Sequence, residues 1–162
     1  MANVLRIDPL TVFNFYITLV DSSNLGGTLI SMALNYFVAG FSECSGIDAT
    51  IETQDYKEGG VNDRVLRFAT RTSHSAIVLK HGVIYLYDDL WTWHNEWVTG
   101  KGKRKDGLIV LQDESRQPAK IWKFKRGIPT KWVGPSLNGA QNQVAVESLE
   151  IVHEGLELKL GA

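Results

Sequence analysis

The sequence predicts a mainly β fold, an antiparallel β-sandwich or barrel with one flanking α-helix. Three observations carry that reading. Short β-prone runs recur along the chain, segments rich in Gly, Asp and Ser separate them, and one stretch alone shows a helical stripe between capping signals. Elements of this kind bury their apolar faces by closing around one core.

Residues 10–20 read as a strand, with Phe13, Phe15, Ile17 and Leu19 on one face and Asn14, Tyr16 and Thr18 on the other. Pro9 stands at its front edge, where a missing backbone donor does least harm. Turn chemistry over 21–27 leads into an apolar stretch over 29–41. Residues 48–56 alternate again, with Ala49, Ile51 and Thr53 opposite Thr50, Glu52 and Gln54. A polar loop over 57–63 precedes a strand around 65–70, and two short β-prone runs, 75–80 and 83–87, are separated by His81 and Gly82. The helix is expected over 88–99. Asp88 or Asp89 can cap it, Leu90, Trp93 and Trp97 recur at i, i+3 and i+7 as its structural face, and Gly100 can close it. Residues 107–112 and 119–125 form a hairpin across the turn-rich 113–118. The last segment, 143–160, is open on periodicity: Ala145, Leu149, Val152 and Leu156 fit a helical stripe, while Leu156, Leu158 and Leu160 alternate as a strand would.

The chain has 162 residues, which suits one domain over 1–162 with a sizeable core. Its 22% charged residues and net charge of −1 argue against disorder and against a generally basic nucleic-acid binder. One cysteine, Cys44, excludes an intramolecular disulfide and a multi-cysteine zinc site. No apolar run approaches the ~20 residues of a membrane span, and the start lacks an apolar leader, so the default compartment is cytoplasmic. Charge is uneven. Residues 100–131 carry ten basic against three acidic residues, a net of +7, and the remainder carries −8. Such a chain can set its basic window on a polyanion or on the acidic surface of an identical copy.

No reaction centre is legible. Cys44 has no nucleophile elbow or oxyanion loop around it, and a small cysteine at a tight turn reads as packing. His74, His81, His94 and His153 are scattered singly, without metal-ligand spacing. Asp88 and Asp89 sit where a helix start attracts acids, Gly59-Gly60 lacks the form of a phosphate loop, and the Lys101–Lys105 patch can complement a helix C-terminus. Five tryptophans admit a sugar-stacking reading, but Trp91, Trp93 and Trp97 at helical spacing point first to a packed helix. Neither a cofactor nor a catalytic role is expected.

The residues become specific as an ordered set. The landmarks are Phe41-Ser42-Glu43-Cys44-Ser45-Gly46-Ile47, Tyr56-Lys57-Glu58-Gly59-Gly60-Val61-Asn62, and Val78-Leu79-Lys80-His81-Gly82-Val83. After the tryptophan-bearing helix come Gly100, Arg104-Lys105-Asp106, Trp122, Ile128-Pro129-Thr130-Lys131-Trp132, Gly134-Pro135, Leu137-Asn138 and the run from Val146 to Leu156. From about Pro9 to Leu156 this resembles the inner tail tube proteins of contractile phage tails and of phage-tail-like contractile injection systems.

The resemblance implies a structural building block whose hexameric rings stack head-to-tail into a hollow tube inside a contractile sheath. That tube is driven through a target envelope and conducts DNA or effector protein. The implied partners are copies of itself, a sheath protein, baseplate and spike-hub proteins and a tape-measure protein. Assembly is expected in the cytoplasm, the finished tube being part of a phage virion or of an extracellular or intracellular contractile particle. The family fold, shared with the type VI secretion ring protein Hcp, decides the last segment in favour of strand. By the same resemblance the loop over 56–63, with Tyr56, Lys57, Glu58, Gly59, Gly60 and Asn62, projects from the ring and touches the next subunit or ring. The segment over 21–38 is longer than family members often have, and with Leu29, Ile30, Met32, Leu34, Tyr36 and Phe37 it suggests an extended hairpin packing on a neighbour. An exported ring of the Hcp type is the alternative, and the F-S-x-x-S-G and E-G-L landmarks favour the tube.

Overall fold

The computed structural model describes residues 14–22, 38–39, 41–60, 63–83, 89–140 and 142–160. Among them lie ten strands and one helix: β1 (Phe15–Asp21), β2 (Val38–Ala39), β3 (Phe41–Ser45), β4 (Thr50–Tyr56), β5 (Leu66–Ser73), β6 (Ile77–Gly82), α1 (Asp89–Val98), β7 (Lys105–Gln112), β8 (Pro118–Val133), β9 (Val146–Val152) and β10 (Gly155–Leu160). Every pairing is antiparallel. The strands follow one another in the order β2-β1-β7-β8-β9-β6-β3, with β10 also on β8, while β4 and β5 pair with each other.

The 16-residue β8 joins two sheets. Its first part lies between β7 and β10, with Lys123 opposite both Leu108 and Glu157. Its second part pairs with β9, with Trp132 opposite Leu149. The change comes at Arg126, whose φ of 53° is left-handed, and there the register against β7 shifts. A bulge of this kind bends and twists a strand, and so carries β8 from one sheet to the other.

Between the sheets lies the core. Ile17 and Leu19 of β1, Ile109 of β7 and Phe124 of β8 meet Ile77 and Leu79 of β6 and Leu149 and Ile151 of β9. Burying each such side chain contributes about 1.5–3 kcal/mol. The opposite face of the first sheet is covered too. Thr18, which alternation sets on the face of β1 opposite Ile17 and Leu19, is buried with Val20, as are Leu108 and Val110 beside them.

Helix α1 closes the core with Leu90 and Trp93, and Trp97 packs against it. The Trp93 and Trp97 indole N–H groups both donate to the Lys103 carbonyl, at 2.8 and 3.2 Å. The helix ends at a left-handed Gly100 (φ 76°). The Gly100 N–H donates to Trp97 O and the Lys101 N–H to Glu96 O, which caps the last carbonyls. Asp88, the other candidate cap, lies outside the described residues.

Two expectations change. His81 and Gly82 do not break the strand before them: they pair with Glu147 and Val146 as the end of β6, and the Val83 N–H continues the ladder to Ala145 O, while 84–87 of the expected next run lie outside the described residues. Residues 48–56 alternate, yet β4 is exposed along its whole length. The last segment, open on periodicity, forms two strands, β9 and β10, as the resemblance implies. The hairpin over 107–125 is present as β7 and β8, its turn closed by Asp113 and Gln117.

Candidate functional site

Strands β4 and β5 form a two-stranded ribbon, and each makes substantial contact only with the other among the described residues. Their register sets Tyr56 opposite Leu66, Gln54 opposite Phe68 and Asp55 opposite Arg67, with an irregularity between Ile51 and Thr53. One side carries Tyr56, Leu66 and Phe68, with Gln54 beside them, and Ile51 stands on the other. Tyr56 and Phe68, each 55% exposed, set their rings 6.3 Å apart, and Ile51 is 61% exposed. Ion pairs Arg67–Asp55 (3.2 Å) and Arg71–Glu52 (3.6 Å) brace the ribbon. Exposed pairs of this kind contribute at most about 1 kcal/mol each, and an isolated hairpin in water is marginal. Large aromatic side chains standing in water on a ribbon with no covering layer need a second surface.

The tip of the ribbon holds Lys57, Glu58, Gly59 and Gly60, with Gly60 at φ 90°. Of the loop residues singled out in the sequence, Asn62 lies outside the described residues. So do Leu29, Ile30, Met32, Leu34, Tyr36 and Phe37 of the segment over 21–38.

A second set of exposed apolar residues, Val83, Val133, Val144 and Val146, lies where β6, β8 and β9 end or begin. Trp91 stands near them, 4.7 Å from Trp132 in an edge-to-face contact. Of the pairings described, β3 has one to β6 and β10 one to β8, so each offers an edge. Open edges of this sort invite pairing with another chain.

The basic window is not a free patch. Arg104 and Arg126 both reach Glu154, at 2.6 and 2.7 Å, Lys131 reaches Glu150 and Lys103 reaches Asp21. Lys125 pairs with Glu157, and Lys123 is buried 3.7 Å from Asp106. Acidic residues distant in sequence thus neutralise much of it within the chain. Sequence reasoning missed the Asp106 carboxylate, which accepts from Ser22 Oγ (2.6 Å) and the Arg126 N–H (2.9 Å). The alternation of β7 was the available signal.

Burial, with Glu43 alongside, pushes the Cys44 thiol up to about 12, far from a nucleophilic thiolate. Among the described residues no three His, Cys, Asp or Glu side chains are grouped to hold a metal. Trp93 and Trp97 pack into the core rather than stand as a sugar platform.

The sequence profile of the family described as T4-like virus tail tube protein gp19 matches residues 11–157. The chain belongs to that family. A search of curated protein sequences found no match. Among solved structures, a chain of the anti-feeding prophage baseplate is similar with TM-score 0.81 and 22% identity, over 95% of this chain and 97% of that one. A chain from the sheath-tube complex of an extracellular contractile injection system has TM-score 0.77 and 20% identity, over 94% and 92%. Hcp1 from Flavobacterium johnsoniae is similar more loosely, with TM-score 0.56 and 17% identity, over 90% and 96%. At these identities the likeness establishes the fold.

Proposed function

We propose that this tail tube protein assembles as hexameric rings that stack head-to-tail into a hollow tube. A sheath surrounds the tube, and contraction drives it through a target envelope with DNA or effector protein as cargo. The role is mechanical rather than catalytic. The observation that carries the reading is the β4–β5 ribbon, a two-stranded arm whose Tyr56 and Phe68 rings nothing among the described residues covers. A head-to-tail contact of one arm on the next copy is heterologous and propagates, closing into rings or running on as a filament. Assembly in the cytoplasm, with baseplate, spike-hub and tape-measure proteins setting the ends, follows from that role. An exported ring of the Hcp type is the second reading, and its support is the looser likeness to Hcp1.

Electron microscopy of the purified chain tests this: stacked rings of sixfold symmetry are expected, and a chain that stays monomeric with its sheath and baseplate partners overturns it. Replacing Gly59 and Gly60 by bulky residues is expected to shorten or abolish tubes without unfolding the chain. Neither glycine has another atom within 4 Å of an added Cβ, so the monomer has room for the change, although the left-handed Gly60 adds some strain.

A further inference from the structure

The ribbon joins the barrel through two short links, residues 46–49 between β3 and β4 and residues 74–76 between β5 and β6. They are locked together. Asp48 accepts from the Ser75 N–H at 2.9 Å, and His74 Nδ1 donates to the Asp48 carbonyl at 3.1 Å. Gly46 packs so tightly on Ala76 that an added Cβ would stand 2.0 Å from its carbonyl oxygen. Among the described elements the ribbon has no other substantial contact, so this root determines where it points.

Against the root sits His153, in the turn between β9 and β10, with its ring 5.2 Å from that of His74. His153 Nδ1 donates to Gly155 O at 3.1 Å, so the neutral ring carries its lone pair on Nε2. That Nε2 is buried without a hydrogen-bond partner. The far side of the ring faces Phe124 of the core, at 5.8 Å. The neighbouring Glu154 is engaged by Arg104 and Arg126. This leaves Asp48 as the carboxylate facing the pair, and it already serves Ser75.

We propose that the His74–His153 contact is an acid-sensitive hinge that sets the pose of the ribbon: closed while His153 is neutral, opened when it takes up a proton. The proposal rests on reading the ribbon as the contact arm, and it adds regulation to that arm. A proton on His153 is placed on a buried nitrogen beside a second histidine. Burial, reinforced by His74, accordingly holds the His153 pKa below the ordinary value, against the smaller opposing pull of Gly155, Asp48 and the Ser75 backbone. Opening the turn away from the root restores the ordinary affinity for a proton. The closed state is therefore favoured above the histidine range and is lost as pH falls through it.

Hydrogen exchange of the full chain, corrected for the intrinsic rate, at about pH 7.5 and about pH 5 reads the hinge. Peptides covering 46–56 and 66–76 are expected to exchange several-fold faster at the lower pH, while those in β7 and β8 do not change. His153→Phe, which keeps a ring against Phe124 and takes no proton, is expected to flatten the response. His74→Gln, on a partly exposed residue, is expected to reduce it and serves even where the first variant does not fold. Equal ribbon exchange at both pH values, a full response in the folded variants, or a parallel rise in β7 and β8 overturns the hinge. Tubes that form normally with an altered ribbon tip would instead sink the arm reading and leave the hinge intact.

Discussion

In β6 and β9, Ile77 faces Ile151 and Leu79 faces Leu149 inside a core closed to water, whereas no residue of β4 or β5 is buried. Backbone pairing is the same in both regions. What differs is the second layer. The barrel strands gain most of their stability from side chains removed from water, whereas among the described residues the ribbon has its ladder, the Thr70–Glu52 hydrogen bond, two exposed ion pairs and one aromatic contact. Under the proposed role, a second copy of the chain would supply the layer that the described residues do not give the ribbon.

Substitutions can break this contrast. Phe124→Ala, at a fully buried ring, is expected to cost about 4 kcal/mol in denaturant unfolding, and a loss below about 1 kcal/mol would show that the core is not where the barrel is held. Asp106→Ala leaves Lys123 buried without its carboxylate and strips acceptors from Ser22 and the Arg126 N–H. A loss of about 3 kcal/mol is expected by the same measurement. Phe68→Ala on the ribbon is expected to shift unfolding by less than about 0.5 kcal/mol while weakening ring stacking seen by electron microscopy. Equal effects of Phe124→Ala and Phe68→Ala on unfolding would erase the distinction.

The smallest effect concerns the barrel surface. The Lys125 ammonium beside Glu157 holds that carboxyl below its ordinary range. A lowered folded value means the contribution is present above the unfolded pKa and lost as pH falls through the folded one. In Lys125→Met the Glu157 resonance is expected to titrate higher in an NMR pH series, and an unchanged midpoint would remove Lys125 as the cause.

Much of this was legible where the governing interactions are local. The α1 stripe of Leu90, Trp93 and Trp97 and its Gly100 stop are read within one helix, and the β7–β8 turn within six residues. The burial of Thr18 and Val20 was not legible, because alternation tells which residues share a face and not whether that face is covered. The run through His81 and Gly82 misled for a related reason. A glycine weakens a strand in isolation, but Val146 of β9 and Ala145 just before it hold the ladder there. The basic window misled most, since Glu150, Glu154 and Glu157 reach it only once β9 and β10 lie beside β8.

From the sequence alone came the β class, the single flanking helix and, through the order of its landmarks, the likeness to tail tube proteins. Those properties depend on residue spacing and turn chemistry, which act over a few positions. Which faces are wet, which charges cancel and where β8 crosses between sheets were decided by tertiary structure. Burial and ion pairing depend on what stands a few ångströms away in space, and in an antiparallel barrel that neighbour is often dozens of residues distant along the chain.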